Sequence, residues 1–447
     1  MKQLILCLFF IFTMPTLAQK TLTLDDAVKI ALQRNPDLIK AKNNLETYKS
    51  QLKSAYGDLL PSLGTQATWN WQRINDAGGV QRDFFGNLVN IPPSQTDNRY
   101  YQVGFGGSVV LFNGLANWAN ISKQSDNLEA ARLNLEKFKQ NIVLQTSSYY
   151  YAVLNAEELM KVREENVKYN QKFLETVQER HRLGAVAIAD VYSQQVQLGN
   201  AELLLIQAQN TYETAKSNLL NYLGLNVLEE YKFVDPYGEK DSINTDKYMS
   251  MFDDVTVMVN QALANRKDFK GQQLLLNAAK SGVTIARGGI FPSLTGNYSF
   301  GTSATDPNNL FNRKTWSVGL TLSLPIFSNF NTENNIEFAM ASEKNAEEDL
   351  NTLQRQIKIE IKQGYLDLTA AKKSLDVATK NVVSAEENRK VNQERYNLGS
   401  GTILDVLQAD RDYTDALRNK IDALYNFYKA KDALMNSLGK LDYKKYE

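Results

Sequence analysis

Reactive side chains are nearly missing from this chain of 447 residues, which has one cysteine, Cys7, and one histidine, His181. Cys7 lies in an N-terminal stretch with its own explanation: Lys2 gives a positive start, Leu4 to Met14 an apolar segment, and Thr16-Leu17-Ala18 a small-x-small cleavage site. That is the pattern of a secretory signal peptide over residues 1–18, with Gln19 as the expected mature start. The alternative, a lipoprotein modified at Cys7, meets only four residues between Lys2 and Cys7 and a preceding Leu6 where a small residue belongs. Without Cys7 the chain can form no disulfide, thiolate nucleophile or cysteine metal site, and one histidine cannot build a multi-histidine one. The expected cofactor and metal complement is none.

Charge of one sign is also lacking. Lys+Arg and Asp+Glu total 50 each, so the net charge is zero and no phosphate-neutralising stripe is implied, which excludes a dedicated nucleic-acid binder. Past the leader no apolar run approaches the roughly 18 to 20 residues that a spanning helix requires. With a mean hydropathy of −0.39, that argues against a polytopic helical membrane protein. Apolar residues still make up 43% of the chain, enough for extensive packing.

What is present is a repeat. Ala31-Leu32, Asp37, Leu45, Ala55, Gly57 and Pro61-Ser62-Leu63 recur without a gap as Ala262-Leu263, Asp268, Leu276, Ala286, Gly288 and Pro292-Ser293-Leu294, at an offset of 231. Further on the offset is 215: Phe112 matches Phe327, Glu179-Arg180 matches Glu394-Arg395, Leu183-Gly184 matches Leu398-Gly399, and Asp190-Val191 matches Asp405-Val406. Leu223-Gly224 and Leu438-Gly439 close the two copies in the same register. The drop from 231 to 215 means that the second copy is sixteen residues shorter between its proline and its phenylalanine, as expected for a surface loop.

Each copy reads the same way. Thr23-x-x-Asp26 resembles a capping box, and Pro36 suits the first position of a second helix running to about Leu60. Alternation follows, with Ala67, Trp69 and Trp71, then Tyr101, Val103, Phe105, Val109 and Leu111, against polar or glycine neighbours; the second copy repeats it at Leu294, Tyr298 and Phe300 and at Trp316 to Leu324. Four strands per chain are predicted. The loop around Asn75 to Asn98, rich in Gly, Asn, Asp and Pro, and the shorter one from Ala304 to Arg313 are expected to join the hairpins on one side. Alternation alone fits either a soluble sandwich or a membrane barrel with apolar side chains outward and polar ones toward a lumen. Strands of about 9 to 11 residues on a secreted chain without a helical span favour the barrel.

Glycine and proline are then absent from Leu115 to Leu183, and only Gly364 interrupts Ile326 to Leu398. At 1.5 Å per residue each stretch makes a helix of about 100 Å, which needs partner helices along its length. Leu128, Leu135, Ile142 and Tyr149 step by seven, as do Ile361, Leu368, Leu375 and Val382, the coiled-coil period. The predicted organisation is therefore a first repeat over 19–224, with a hairpin at about 62–112, a long helix at about 114–183 and a return helix at about 188–223. A linker over 225–250 includes a turn at Asp235-Pro236-Tyr237-Gly238 and a short strand within Glu230 to Val234. A second repeat over 251–447 has its hairpin at about 293–327, long helix at about 330–398 and return helix at about 403–438. The fold class is mainly α with β.

The opening Leu24-x-x-Ala27-x-x-x-Ala31-Leu32-x-x-Asn35-Pro36-x-Leu38, the two Pro-Ser-Leu starts of the hairpins and the paired helix-turn-helix tips resemble the outer-membrane efflux protein family, the TolC-like exit ducts of Gram-negative envelopes. The resemblance implies a homotrimer whose three copies form a twelve-stranded barrel in outer-membrane lipid, with helices making a periplasmic tunnel. It further implies a periplasmic adaptor protein that links the duct to an inner-membrane pump or ABC transporter, in an efflux or type I secretion system. By position, the docking candidates are Leu183, Gly184 and Ala185 on one tip and Leu398, Gly399 and Ser400 on the other. Both Leu-Gly pairs have a second reading as helix terminators.

The family's periplasmic gate maps onto Asp190 and Tyr396 for contacts between helix pairs, and onto Asp405 for an acidic ring. Gly401 stands where better-known members have an arginine, and Gln408 where some have a second acid, so an arginine lock onto Asp190 is not expected. For Asp190 and Asp405 the plainer reading is helix N-terminal capping. His181 is either a pH sensor or a solvated residue beside the tip. The residue inventory argues against an enzyme, the third class, whose best sign would be a clustered pair of buried carboxylates. A non-conducting structural coiled-coil protein is the alternative to a passive duct.

Overall fold

The computed structural model describes residues 20–238, 249–250, 252 and 254–446. The leader, including Cys7 and Gln19, and most of the second half of the 225–250 linker lie outside the described residues.

In chain order, β1 (Lys20–Leu22) is followed by α1 (Leu24–Arg34) and α2 (Pro36–Gly57), then by β2 (Gly64–Asp76), β3 (Gly79–Arg82), β4 (Leu88–Ile91) and β5 (Ser94–Asn113). Next come α3 (Ala116–Arg182), α4 (Ile188–Leu223) and β6 (Tyr231–Phe233). The same order then recurs as α5 (Val255–Asn265), α6 (Lys267–Gly288), β7 (Ser293–Ala304), β8 (Lys314–Ser323), α7 (Asn331–Asn397) and α8 (Ile403–Ser437). The architecture is mainly helical, with long helices and a four-stranded sheet.

Local chemistry sets the helix starts. Thr23 Oγ1 accepts from the Asp26 N–H at 3.1 Å while the Asp26 carboxylate accepts from the Thr23 N–H at 3.3 Å, the reciprocal capping box. Asn35 Oδ1 accepts from the amides of Asp37 and Leu38, so the first turn of α2 is capped around Pro36. The second copy has Asp254 capping α5 through the Thr256 amide, and Lys267 where the first copy has proline.

The described residues within 1–42, 135–267 and 354–447 form one compact unit, and Asn43–Asn134 with Asp268–Leu353 form another. The first is a helical body. Its buried side chains include Tyr150, Tyr151, Leu219, Leu220, Ile357, Ile361, Leu368, Phe427, Tyr428 and Leu434. The heptad residues Ile361, Leu368, Leu375 and Val382 are all buried, whereas Leu135 and Tyr149 of the other series are only half-buried. Gly364, the single glycine of α7, lets the helix approach Leu434: a Cβ there would sit 3.2 Å from Leu434 Cδ1.

β1 and β6 pair in parallel, Thr21 opposite Lys232. The buried Tyr150 of α3 ties this pair down. Its hydroxyl lies 2.8 Å from the carbonyls of both Leu22 and Val234, which share its one proton, and accepts from the Val234 N–H at 3.0 Å. Burial pushes its pKa up to about 12, so it remains a donor at any physiological pH.

The second unit contains the sheet. All neighbours are antiparallel, in the order β2-β5-β7-β8, so the central β5–β7 pairing joins the hairpins of the two repeats. β2 and β8 are its edges. Close approach rather than turn geometry demands glycine in β5: a Cβ on Gly107 would lie 1.8 Å from the Ser62 carbonyl, and one on Gly104 2.6 Å from that of Phe300. On β8 the alternating Trp316, Val318, Leu320 and Leu322 are exposed, the first two at 71% and 86%, and Trp69 and Trp71 of β2 are exposed as well.

The structure corrects the expected loop between Asn75 and Asn98. β2 continues to Asp76, β5 begins at Ser94, and β3 and β4 form a hairpin between them, with Val80 opposite Asn90. Asp83 organises its turn, accepting from the amides of Phe85 and Asn87 at 2.9 and 2.8 Å, with Gly86 at φ +85°. Accordingly β5 has 20 residues and β2 13, longer than the predicted strand length.

Tyr150→Phe keeps the ring and its edge contact with Phe233 but removes the partner of the Leu22 carbonyl, which is buried, and of the part-buried Val234 amide and carbonyl. It is expected to destabilise the detergent-solubilised protein by about 1–3 kcal/mol in equilibrium denaturation; an unchanged midpoint would show that the hydroxyl holds nothing.

Candidate functional site

The candidate residues converge where the two helical hairpins turn, α3 into α4 and α7 into α8. Both turns obey one rule. After α3, Gly184 is left-handed at φ +74°, its N–H donates to the His181 carbonyl at 2.8 Å, and the Ala185 N–H donates to that of Arg180 at 2.8 Å. After α7, Gly399 has φ +73°, its N–H reaches the Tyr396 carbonyl at 3.1 Å, and the Ser400 N–H reaches that of Arg395 at 2.9 Å. This is the Schellman pattern, and it gives each glycine a sufficient local reason. Around both glycines the space where a Cβ would stand is open, and the preceding leucines point outward, Leu183 at 67% and Leu398 at 83% exposure. Each tip thus offers a bare peptide beside an uncovered leucine.

Beneath the turns the hairpins share an apolar cluster of Phe173, Val177, Val191, Tyr396, Ile403, Val406 and Leu407. Tyr396 is the polar member. Its hydroxyl donates to Asp190 Oδ2 at 3.3 Å, so a residue of α7 grips the first turn of α4. Burial, assisted by the Asp190 charge, pushes the Tyr396 pKa up to about 12 and keeps the donor proton in place. Arg180 of α3 covers the same ring, its guanidinium 4.8 Å from the centroid, and donates to the Tyr396 carbonyl at 3.0 Å.

The two aspartates, equivalent in the repeat, do different things. α8 begins with Thr402, whose Oγ1 accepts from the Asp405 N–H at 3.3 Å while Asp405 Oδ2 accepts from the Thr402 N–H at 3.0 Å and from its hydroxyl at 2.9 Å. Asp405 is a capping residue. α4 begins with Ala187, which has no side chain to offer, and the Asp190 carboxylate is left for Tyr396. Gln408, exposed on α8, donates to Asp412 Oδ1 at 2.7 Å and does not join the contact.

His181, the position equivalent to Tyr396, turns the other way: its Nδ1 lies 3.0 Å from the Val186 carbonyl and closes its own turn. Gly401 also has a structural reason. A Cβ there would lie 3.1 to 3.3 Å from Arg395 Cβ and the Arg395–Tyr396 backbone, so the turn leaves little room for a longer side chain. The cation beside Tyr396 comes instead from Arg180. That role was not assigned from the sequence, although Arg180 belongs to the Glu-Arg pair shared by both copies.

Among the described residues no group of histidine, cysteine and carboxylate side chains could hold a metal, and no helix is long and apolar enough to cross a membrane. A family model for outer membrane efflux proteins matches residues 27–225 and 258–440. The chain is 22% identical over 425 residues to the outer membrane protein TolC of Escherichia coli (strain K12), covering 91% of this chain and 80% of that protein. It is 24% identical over 423 residues to toxin and drug export protein A of Aggregatibacter actinomycetemcomitans, covering 94% and 86%. The solved structure of the Campylobacter jejuni CmeC outer membrane channel superposes with a TM-score of 0.78 at 19% identity, covering 94% of this chain and 88% of that one.

Hydrogen bonds from Thr402 hold the Asp405 carboxyl below the usual carboxylate range. A depressed folded-state pKa stabilises above the unfolded value of about 3.8 and is lost as pH falls through the folded value. Protection of the first-turn amides of α8 against hydrogen exchange should therefore fall on acidification below about pH 4. In Thr402→Ala it should be low throughout; equal, pH-independent protection in both proteins would contradict the capping assignment.

Proposed function

The chain belongs to the outer membrane efflux protein family, and from that membership we propose that three copies form a passive exit duct, opened at its periplasmic end by docking of an adaptor protein. It is an outer-membrane protein, and a channel component rather than an enzyme. The observation that carries the reading is the open sheet with its exposed apolar face.

β8 ends the sheet with an unpaired edge and bears Trp316, Val318, Leu320 and Leu322 in the open. In hydrocarbon every unpaired amide and carbonyl costs several kcal/mol, so a spanning sheet must close on itself. Four strands are too few, since membrane barrels start at about eight. Three copies supply twelve, with β8 of one copy pairing with β2 of the next. Apolar side chains then face lipid, and Thr, Ser, Gln and Gly positions of the opposite face line a water-filled lumen.

At the helical tips Asp190 and Tyr396 would form the gate contact, with Asp405 and Gln408 on the exposed face of α8. The tips at Leu183, Gly184 and Ala185 and at Leu398, Gly399 and Ser400 would receive the adaptor: uncovered leucines supply apolar area, and the bare glycines let a partner reach the backbone. Energy then comes from an inner-membrane pump or ABC transporter acting through the adaptor.

Planar-bilayer recording tests the duct. The reconstituted protein should conduct ions, and Asp190→Asn with Tyr396→Phe should raise the current; a trimer silent in both forms would sink the reading in favour of a structural envelope protein. Docking is tested with Gly184→Asn and Gly399→Asn, because asparagine tolerates the left-handed conformation yet fills the open space. Adaptor crosslinking in the native envelope should be lost at unchanged trimer yield. Undiminished capture would mean that the glycines only end their helices.

A further inference from the structure

Beyond the tips, one to two helical turns from the Tyr396–Asp190 contact in sequence, lies a buried polar cluster to which all four tip helices contribute. Its centre is Asp410 of α8, 1% exposed. Two asparagines of α3 donate to its Oδ2, Asn166 at 3.0 Å and Asn170 at 3.2 Å, and Asn166 also reaches Thr414 Oγ1 at 3.0 Å. Gln194 of α4, fully buried, donates to the carbonyl and side-chain oxygens of Asn170 at 2.9 and 3.0 Å. Arg389 of α7 brings its Nε within 3.2 Å of Asp410 Oδ1. Burial raises the Asp410 pKa against the opposing pull of Arg389 and the asparagines.

This cluster is joined to the gate contact by stacked rings. The Arg389 guanidinium lies 3.7 Å from the centre of the Tyr169 ring, and Tyr413 flanks it at 4.8 Å. Tyr169 stacks on Phe173 at 6.1 Å, and Phe173 meets Tyr396 edge-on at 5.7 Å. A continuous path of packed groups thus runs from the buried carboxylate to the tyrosine that grips Asp190.

We propose that Asp410, with Arg389, Asn166, Asn170 and Gln194, is a second latch that holds the α7–α8 hairpin on the α3–α4 hairpin, so that the gate opens only when both latches yield. The inference rests on the duct reading above. An apolar seam lets helices slide by small steps, because one methyl replaces another at little cost. A buried carboxylate with two asparagine donors and an arginine counter-charge does not, since any shift strands a charge away from water. Apolar residues here would pack as well or better, so the cluster is explained by the register it fixes more than by the stability it adds. It is also particular to one arrangement of the copies: at the repeat offset of 215, Gln195 stands for Asp410 and Leu174 for Arg389.

The test uses the full-length trimer in planar bilayers, with heat unfolding in detergent measured beside it. Asp410→Asn should raise open occupancy roughly tenfold or more, the scale of one lost charge-assisted hydrogen bond, whatever it does to the unfolding temperature. Combined with Tyr396→Phe, the gain should be less than the product of the two single effects, as expected for latches that yield together. Native current with a lowered unfolding temperature would overturn the latch and leave a merely structural cluster.

Should Asp410→Asn fail to assemble, Asn166→Cys with Thr414→Cys, made in a background with Cys7→Ser and the opening pair Asp190→Asn and Tyr396→Phe, gives a second measure. A short reducible thiol crosslinker should cut the current and reductant should restore it; current indifferent to the crosslink refutes the latch. Silence of every variant, the native trimer included, would instead remove the duct reading and the latch with it.

Discussion

The unpaired edges of one four-stranded sheet are the constraint on which the rest depends. A strand edge in water is a hazard, while in hydrocarbon it is close to forbidden, because no solvent can satisfy the amides and carbonyls along it. β2 and β8 are such edges, and Trp316, Val318, Leu320 and Leu322 of β8 are exposed. In the proposed barrel four strands cannot close on themselves. Closure by copies, as proposed, makes oligomerisation part of folding. The two 67-residue helices, with almost no glycine or proline, are a separate demand: helices of that length need partners to be stable.

Duplication supplies symmetry, and small departures from it divide the labour. Gly184 and Gly399 end their helices by the same hydrogen bonds. Three residues further on, Ala187 leaves Asp190 unoccupied, whereas Thr402 engages Asp405 in a cap. His181 fastens its own turn, and its counterpart Tyr396 reaches across to the other hairpin. The tyrosine of the contact between hairpins thus lies at a position where the copies differ, while its partner Asp190 is shared.

Legibility in the sequence follows the range of the interactions. The Thr23–Asp26 capping box, the glycine ends of α3 and α7, and the strands with alternating side chains are set within a few residues and could be read directly. The 75–98 segment reads as a loop because it is rich in Gly, Asn, Asp and Pro; its middle is nonetheless a hairpin, with Asp83 accepting from two amides of the turn. The separate fates of Asp190 and Asp405 were also readable, from alanine at 187 against threonine at 402, but only if the N-cap position is compared. Asp410 was not readable. Its partners Asn166 and Asn170 are more than 200 positions away, and a search for residues shared between copies passes over those that are not.

The most direct measurement is covalent crosslinking between β2 and β8 in the membrane-inserted protein, through single cysteines placed on outward positions of each strand in a background lacking Cys7. Closure by three copies predicts a ladder of crosslinked species that ends at the trimer, with β2 joined to β8 of a neighbouring copy. A product that stays monomeric, or a ladder that ends at another number, would contradict it.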